Sequence, residues 1–204
     1  DGNSFYCPYP AALEPYFASI PESCTLEQTI NDAGLQYRLD ADISEATLIA
    51  SASGNDSIAI DIPASLNFEG ITYAVTTIAD NAFSANNLVA VTLPDGLKVI
   101  GAGAFLSNQL TSVTIPDSVT ELGAGAFAVN QLTSVVLGAG VAHIPNGAFS
   151  DNRLTDITFG AGLVTIGDGA FYNNQLPALE VPEGVLSIGA EAFRENRLAS
   201  LLLP

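Results

Sequence analysis

The sequence predicts a predominantly β solenoid of ~22-residue coils with parallel strands, entered through an N-terminal cap of short helices and a β-hairpin. Three observations predict it. First, Phe83, Phe105, Phe127, Phe149, Phe171 and Phe193 step by 22 residues, as do Leu88, Leu110, Leu132, Leu154, Leu176 and Leu198. Asn86, Asn108, Asn130, Asn152, Asn174 and Asn196 keep the same step, each two residues before a leucine. A fixed period in the twenties means that each repeat is one turn, unable to bury its apolar face until a neighbour stacks on it. Second, every repeat holds a short alternating stretch such as "SVTI", in which Val113 and Ile115 point inward and Thr114 outward. Third, the stretch ends at proline or glycine. Pro94, Pro116, Pro182 and Pro204 occupy the same place, and Gly138 and Gly160 replace them as turn residues.

Residues 1–54 read as the cap. Pro10 opens a possible helix near "AALEPYFAS", and Thr25 followed by Gln28 forms a capping box for a short helix ending at Gly34. "LQYRLD" and "ATLIASAS", separated by "ADISE", read as an antiparallel pair that covers the open edge of the first coil. Cys7 and Cys24, the only cysteines, lie in this Pro-rich, poorly cored segment and are expected to form a disulfide, hence an oxidising compartment.

Residues 55–204 read as the solenoid. Its first coil places Ile60 and Ile62 at the strand positions, Pro63 at the stop, and a small hairpin in the insertion around "LNFEGITY". The second half of each repeat, for example "VTELGAGAF", allows one further extended piece and a Gly-rich bend, after which Ala126 and Phe127 plug the core. The asparagines form an expected structural ladder, their amides satisfying backbone groups at an inward bend and bonding to one another up the column. The phenylalanines form the spine.

The pattern "LTSVTIPDSVTELGAGAF" resembles the bacterial BspA-type leucine-rich repeat: a leucine, alternating aliphatics, proline, a second aliphatic pair, glycine and a terminal Ala-Phe. The likeness runs from about Ser57 to Pro204. Many members carry a longer, cysteine-containing return where this chain has the compact "AVNQ" type. The resemblance implies a leucine-rich-repeat solenoid in a secreted or surface-displayed protein that adheres to host or matrix proteins or to other cells.

At the far end, "LASLLLP" supplies one more strand and leaves an apolar face open, so the natural polypeptide is expected to continue beyond Pro204 with further repeats or a further domain. At the near end, the chain begins with Asp1 and contains no methionine, which reads as a mature or trimmed product.

Composition excludes several functions. A formal net charge of -17, with Lys98 the only lysine, repels nucleic-acid phosphates and anionic lipid. No stretch approaches the ~20 continuous apolar residues of a membrane span. Chemistry finds little support either. His143 is the only histidine, so neither a His-based metal site nor an imidazole shuttle is indicated. Asp40, Asp42 and Ser44 in "DADISE" resemble the start of a calcium loop, but the glycine at the sixth place and the acid at the twelfth are missing, and a polar hairpin turn is expected. "NDS" at Asn55 is a formal glycosylation sequon. The chain is expected to be no enzyme and to use no cofactor or metal.

Function is then expected on the outward residues of the strands. One row runs through Ala90, Ser112, Ser134, Asp156, Ala178 and Ser200, and the next through Thr92, Thr114, Val136, Thr158, Glu180 and Leu202. The predicted binding face comprises Thr92, Ser112, Thr114, Ser134, Val136, Asp156, Thr158 and Glu180, facing a protein or glycan partner. Two alternatives stand beside it: a structural spacer in a larger exoprotein, and recognition of an ordered lattice such as ice or crystalline polysaccharide. Val136, Asp156 and Glu180 interrupt the Thr/Ser rows a lattice would need.

Overall fold

The computed structural model describes residues 4–6, 27–40, 43–51 and 58–203. The N-terminal part is an antiparallel run of β1 (Ser4–Tyr6), β2 (Glu27–Asp32), β3 (Leu35–Asp40) and β4 (Glu45–Ser51). The pairing of "LQYRLD" with "ATLIAS" follows their alternation: Tyr37, Leu39, Ala46 and Leu48 are buried, while Arg38 faces outward. β4 then turns parallel and joins β7 (Ile71–Ile78), with Leu48 opposite Ile78, so the run covers the edge of the first coil.

The helix expected from Thr25 to Gly34 does not form, and no helix occurs among the described residues. Residues 27–32 are strand β2, paired with β3 from Gln28 opposite Leu39 to Asp32 opposite Leu35. Two physical reasons favour the strand. A segment this short cannot offset the cost of helix nucleation without a large apolar face to bury. Ala33 and Gly34, with φ of 48° and 81°, form a two-residue turn of the kind that closes hairpins, and so commit the chain to a strand partner. Cys7, Cys24, the second expected helix near Pro10, Asp42 and Asn55 lie outside the described residues.

The first coil contains β5 (Ile58–Asp61), then the hairpin of β6 (Ser65–Phe68) with β7, turned at Glu69 and Gly70. From here the repeats stack. Each lays one strand in a long wall: β8 (Leu88–Thr92), β10 (Ser112–Thr114), β12 (Ser134–Val136), β14 (Asp156–Thr158), β16 (Ala178–Glu180) and β18 (Ser200–Leu202). A two-residue strand from each coil builds a second wall: β9 (Val99–Ile100), β11 (Glu121–Leu122), β13 (His143–Ile144), β15 (Thr165–Ile166) and β17 (Ser187–Ile188). Ladders between successive coils are parallel and step by one repeat, as in Val113 opposite Val135 and Val135 opposite Ile157. Such regular register follows from burial on one face only, since a one-residue slip would turn Val113 and its equivalents to water.

Between the walls the phenylalanines stack in parallel, neighbouring ring centres 5.0 to 5.5 Å apart and planes within 9°. That spacing matches the ~4.8 Å separation of paired strands, so one ring per coil fills the spine without a gap. Glycine at the strand stop has a steric reason as well: a Cβ on Gly138 would collide with the Pro116 carbonyl of the coil before it.

The asparagine column is a ladder of amides on backbone. Asn130 Nδ2 donates to the carbonyls of Phe105 at 2.9 Å, Phe127 at 3.2 Å and Ala128 at 3.2 Å, while its Oδ1 accepts from Leu110 N–H at 3.0 Å. Asn108, Asn152 and Asn174 repeat the arrangement. The amides bond to their own coil and the coil before it, in place of the amide-to-amide contacts expected. Geometry favours this: each side chain reaches inward behind a left-handed residue, the column Ala85, Ser107, Val129, Asp151, Asn173 and Glu195 with φ of 53° to 58°, at a bend whose own carbonyls, such as those of Phe127 and Ala128, face the amide.

Glu45 ties the N-terminal strands to the solenoid. It accepts from Thr76 Oγ1 at 2.8 Å and from Lys98 Nζ at 2.5 Å. Those two hydrogen bonds, Lys98 first, hold its carboxyl below the ordinary value. At the other end Leu201, Leu202 and Leu203 are 47%, 60% and 54% exposed.

Candidate binding face

The outer surface of the long wall is assembled by the same alternation that buries Val113 and Ile115. Ser112, Ser134 and Asp156 lie in register as one row, and Thr114, Val136 and Thr158 as the next. The rows resume with Ala178 beside Ser200 and Glu180 beside Leu202. Toward the N-terminus β5 pairs with β8 and places Asp61 beside Thr92. Ser134 is half-buried; Thr92, Ser112, Thr114, Val136, Asp156, Thr158 and Glu180 are exposed.

Asp61 extends the face and is absent from the sequence-based set. The signal was available: it sits between Ile60 and Ile62, the inward pair of the first coil, but the inserted hairpin breaks the 22-residue step that identifies its counterparts. A second feature, invisible to spacing, is an open cleft of about 540 Å³ at the C-terminal end of the wall, lined by Asp156, Ile157, Ala178, Leu179, Glu180, Ser200, Leu201 and Leu202. It combines two carboxylates with aliphatic surface.

The polar groups of this face differ from several on the bends and beside the wall. On the bends, Asp80, Asp117 and Asp168 each accept a backbone N–H of the next coil at 2.7 Å. Beside the face, Thr133 and Thr155 donate their hydroxyls to the carbonyls of Thr111 and Thr133 at 3.3 and 3.2 Å. On the face, no side-chain hydrogen bond or ion pair within the described residues engages Thr92, Ser112, Thr114, Ser134, Thr158, Asp156 or Glu180. His143 lies on the second wall, exposed, its Nδ1 2.9 Å from Thr165 Oγ1. Asp40 pairs with Glu45 where β3 and β4 meet, and Ile43 N–H donates to Asp40 Oδ1 at 3.4 Å. Among the described residues no three His, Cys, Asp or Glu side chains gather as metal ligands, and no helix is long and apolar enough to cross a membrane.

A stack of parallel-stranded coils with an inner asparagine column and an exposed strand wall defines the class as a leucine-rich-repeat solenoid. Residues 65–204 match the BspA type leucine rich repeat region in six copies, and the chain belongs to that family. It is similar to the crystal structure of a leucine rich cell surface protein from Faecalibacterium prausnitzii A2-165, with 27% identity and a TM-score of 0.63, over 85% of this chain and 54% of that one. A leucine-rich repeat protein from Eubacterium ventriosum shares the fold at 21% identity and a TM-score of 0.61, over 84% of this chain and 50% of that one. The chain thus spans about half the length of these two structures. No curated protein matches it.

Proposed function

We propose that this chain is a secreted or cell-surface recognition module that binds a protein or glycan partner across the outer rows of the long wall. The observation that carries the reading is a contrast among polar side chains: Asp80, Asp117 and Asp168 on the bends are engaged by the next coil, and those on the rows from Thr92 to Glu180 make no side-chain bond within the described residues. Free hydroxyls and carboxylates on a flat parallel wall suit a partner presenting basic or hydroxyl groups, with the Asp156–Glu180 cleft as its deepest contact. The cell-surface setting rests on likeness to the Faecalibacterium protein. The reading requires no chemistry from the chain.

The alternative, a structural spacer in a larger exoprotein, draws support from one feature: no aromatic side chain stands among the outward residues to serve as a binding hot spot. Thr158→Arg decides between them. It sets a long cation in the middle of the wall at an exposed position, where stability should change by no more than about 0.5 kcal/mol. Thr120→Arg, exposed at the start of the second wall, is the control. Both variants and the parent would be immobilised and challenged with extracellular matrix and cell-surface extracts. Partners lost by Thr158→Arg and kept by Thr120→Arg support recognition; identical retention by all three leaves the spacer.

A further inference from the structure

Asn146–Gly147 is the one Asn–Gly step in the sequence, and it sits at an exposed corner where Gly147 adopts a φ of 62°. Such a step carries its own reaction, because glycine lacks the Cβ that would hinder its nitrogen. The Gly147 backbone nitrogen attacks Asn146 Cγ, the side-chain amide leaves as ammonia with the Gly147 proton, and a cyclic imide remains. Water then opens the ring at one carbonyl or the other. One opening gives aspartate on an unaltered main chain; the other gives isoaspartate, with the main chain routed through Cβ and one methylene longer. The balance is one water consumed and one ammonia released.

Both reacting groups are held by a single residue of the following coil. Gly147 N–H donates to the Asp168 carbonyl at 2.9 Å, and Asn146 Oδ1 accepts from Asp168 N–H at 2.9 Å. The nitrogen and the carbon that must meet are therefore both anchored toward the next coil. The same corner elsewhere in the stack holds carboxylates: Asp80 and Asp168 accept from Ala102 and Ala190 N–H at 2.7 Å. An aspartate at position 146 fits the column as well as asparagine does. An isoaspartate does not, since an added methylene displaces Gly147 and, two residues on, Phe149 from its place in the ring stack.

We propose that Asn146–Gly147 is a spontaneous modification site gated by coil stacking. It is closed while the coil containing Asp168 is docked, it opens when that coil peels away, and its isoaspartate product keeps the coil from redocking. Asp156 and Glu180 follow the step in sequence, so the reaction takes their part of the strand wall out of the stack once the coils have separated.

The test is the rate of conversion in mildly alkaline buffer, read by peptide mass and by isoaspartate-specific enzymatic methylation. Opening equilibria of docked elements make the folded parent slower than the same protein in denaturing urea by at least about tenfold. Phe171→Ala, which undermines the coil that holds the clamp, reacts at an intermediate rate, and Asn146→Asp melts with the parent. Equal rates for the folded and urea-denatured parent would overturn the proposal. So would a Phe171→Ala variant that reacts no faster than the parent although hydrogen exchange shows its terminal coils open. Where Phe171→Ala does not fold, graded urea replaces it: a rate that climbs before the global transition supports gating by the coil, and a rate that follows only the global transition refutes it.

Discussion

Asn130 joins more backbone groups than any other kind of side chain could in its place, because only a carboxamide offers donors and an acceptor on one short stem. Asn130→Leu fills the space yet leaves the Leu110 N–H without a partner in a dry interior, while the carbonyls of Phe105, Phe127 and Ala128 keep Asn108, Asn152 and the Ser107 N–H as donors. The expected loss is about 1–3 kcal/mol, measured by urea denaturation, the cost of one orphaned buried group. Tyr37 poses the opposite problem. Its ring is wholly buried and its hydroxyl finds no hydrogen-bond partner among the described residues. Burial, aided by the negative charge of Asp32, pushes the phenol up to about 12 from 10.0. The folded state therefore disfavours the phenolate: the stability Tyr37 contributes is intact below pH ~10 and is lost as pH rises through about 12. Tyr37→Phe should remove that alkaline slope and stabilise the protein at neutral pH by about 1 kcal/mol. Urea titrations of both proteins between neutral and alkaline pH check the two effects together.

At the scale of elements, the ring stack is the feature each coil owes to its neighbours. Phe127 lies between Phe105 and Phe149, 5.0 and 5.5 Å from them, and is fully buried. Phe127→Ala should cost on the order of 3–5 kcal/mol, since the flanking coils are held apart by their own ladders and cannot collapse into the hole. A loss under about 1 kcal/mol in equilibrium denaturation would be incompatible with that burial. These elements were legible in the sequence for a physical reason: one ring, one leucine and one asparagine per coil must recur at a fixed step for coils to stack at all. The antiparallel pair and the inserted hairpin were legible from alternation. Where the step was absent, reading failed. Thr25 and Gln28 carry a helix-start signal, but the Ala33–Gly34 turn and the Ile30 side chain commit their segment to a sheet. On the wall, the alternation places Thr114 and Thr158 outward without ambiguity, whereas the cleft depends on how three successive coils meet and leaves no trace in spacing.

Over the whole molecule, hydrogen bonds link each coil mainly to the next, as in Gln109 to Leu88, Gln131 to Leu110, Arg153 to Leu132 and Gln175 to Leu154, at 2.8 to 3.0 Å. Local burial and ladders make stability nearly a sum over neighbours. The ends differ. β1 to β4 cover one, with Glu45 fastened to Lys98, and the exposed Leu201 to Leu203 mark the other. In the isolated 204-residue chain, hydrogen exchange should accordingly show protection falling in steps from the coil of Phe127 toward that of Phe193, with β4 as slow as the middle coils. Uniform protection along the repeats would contradict this order.

The left-handed turn ahead of every asparagine carries a mechanical consequence. Because it repeats once per coil with the same hand, the backbone winds like thread on a spool, with no strand threaded through another. A molecule held by its two ends therefore pays out rather than jams. Each released coil frees 22 residues, which at ~3.3–3.6 Å per residue lengthens the tether by about 70–80 Å less the few ångströms of its own rise. A protein that anchors one surface to another through such a spool yields under load in equal steps and rewinds when the load falls. Single-molecule pulling would display this as a sawtooth of evenly spaced teeth.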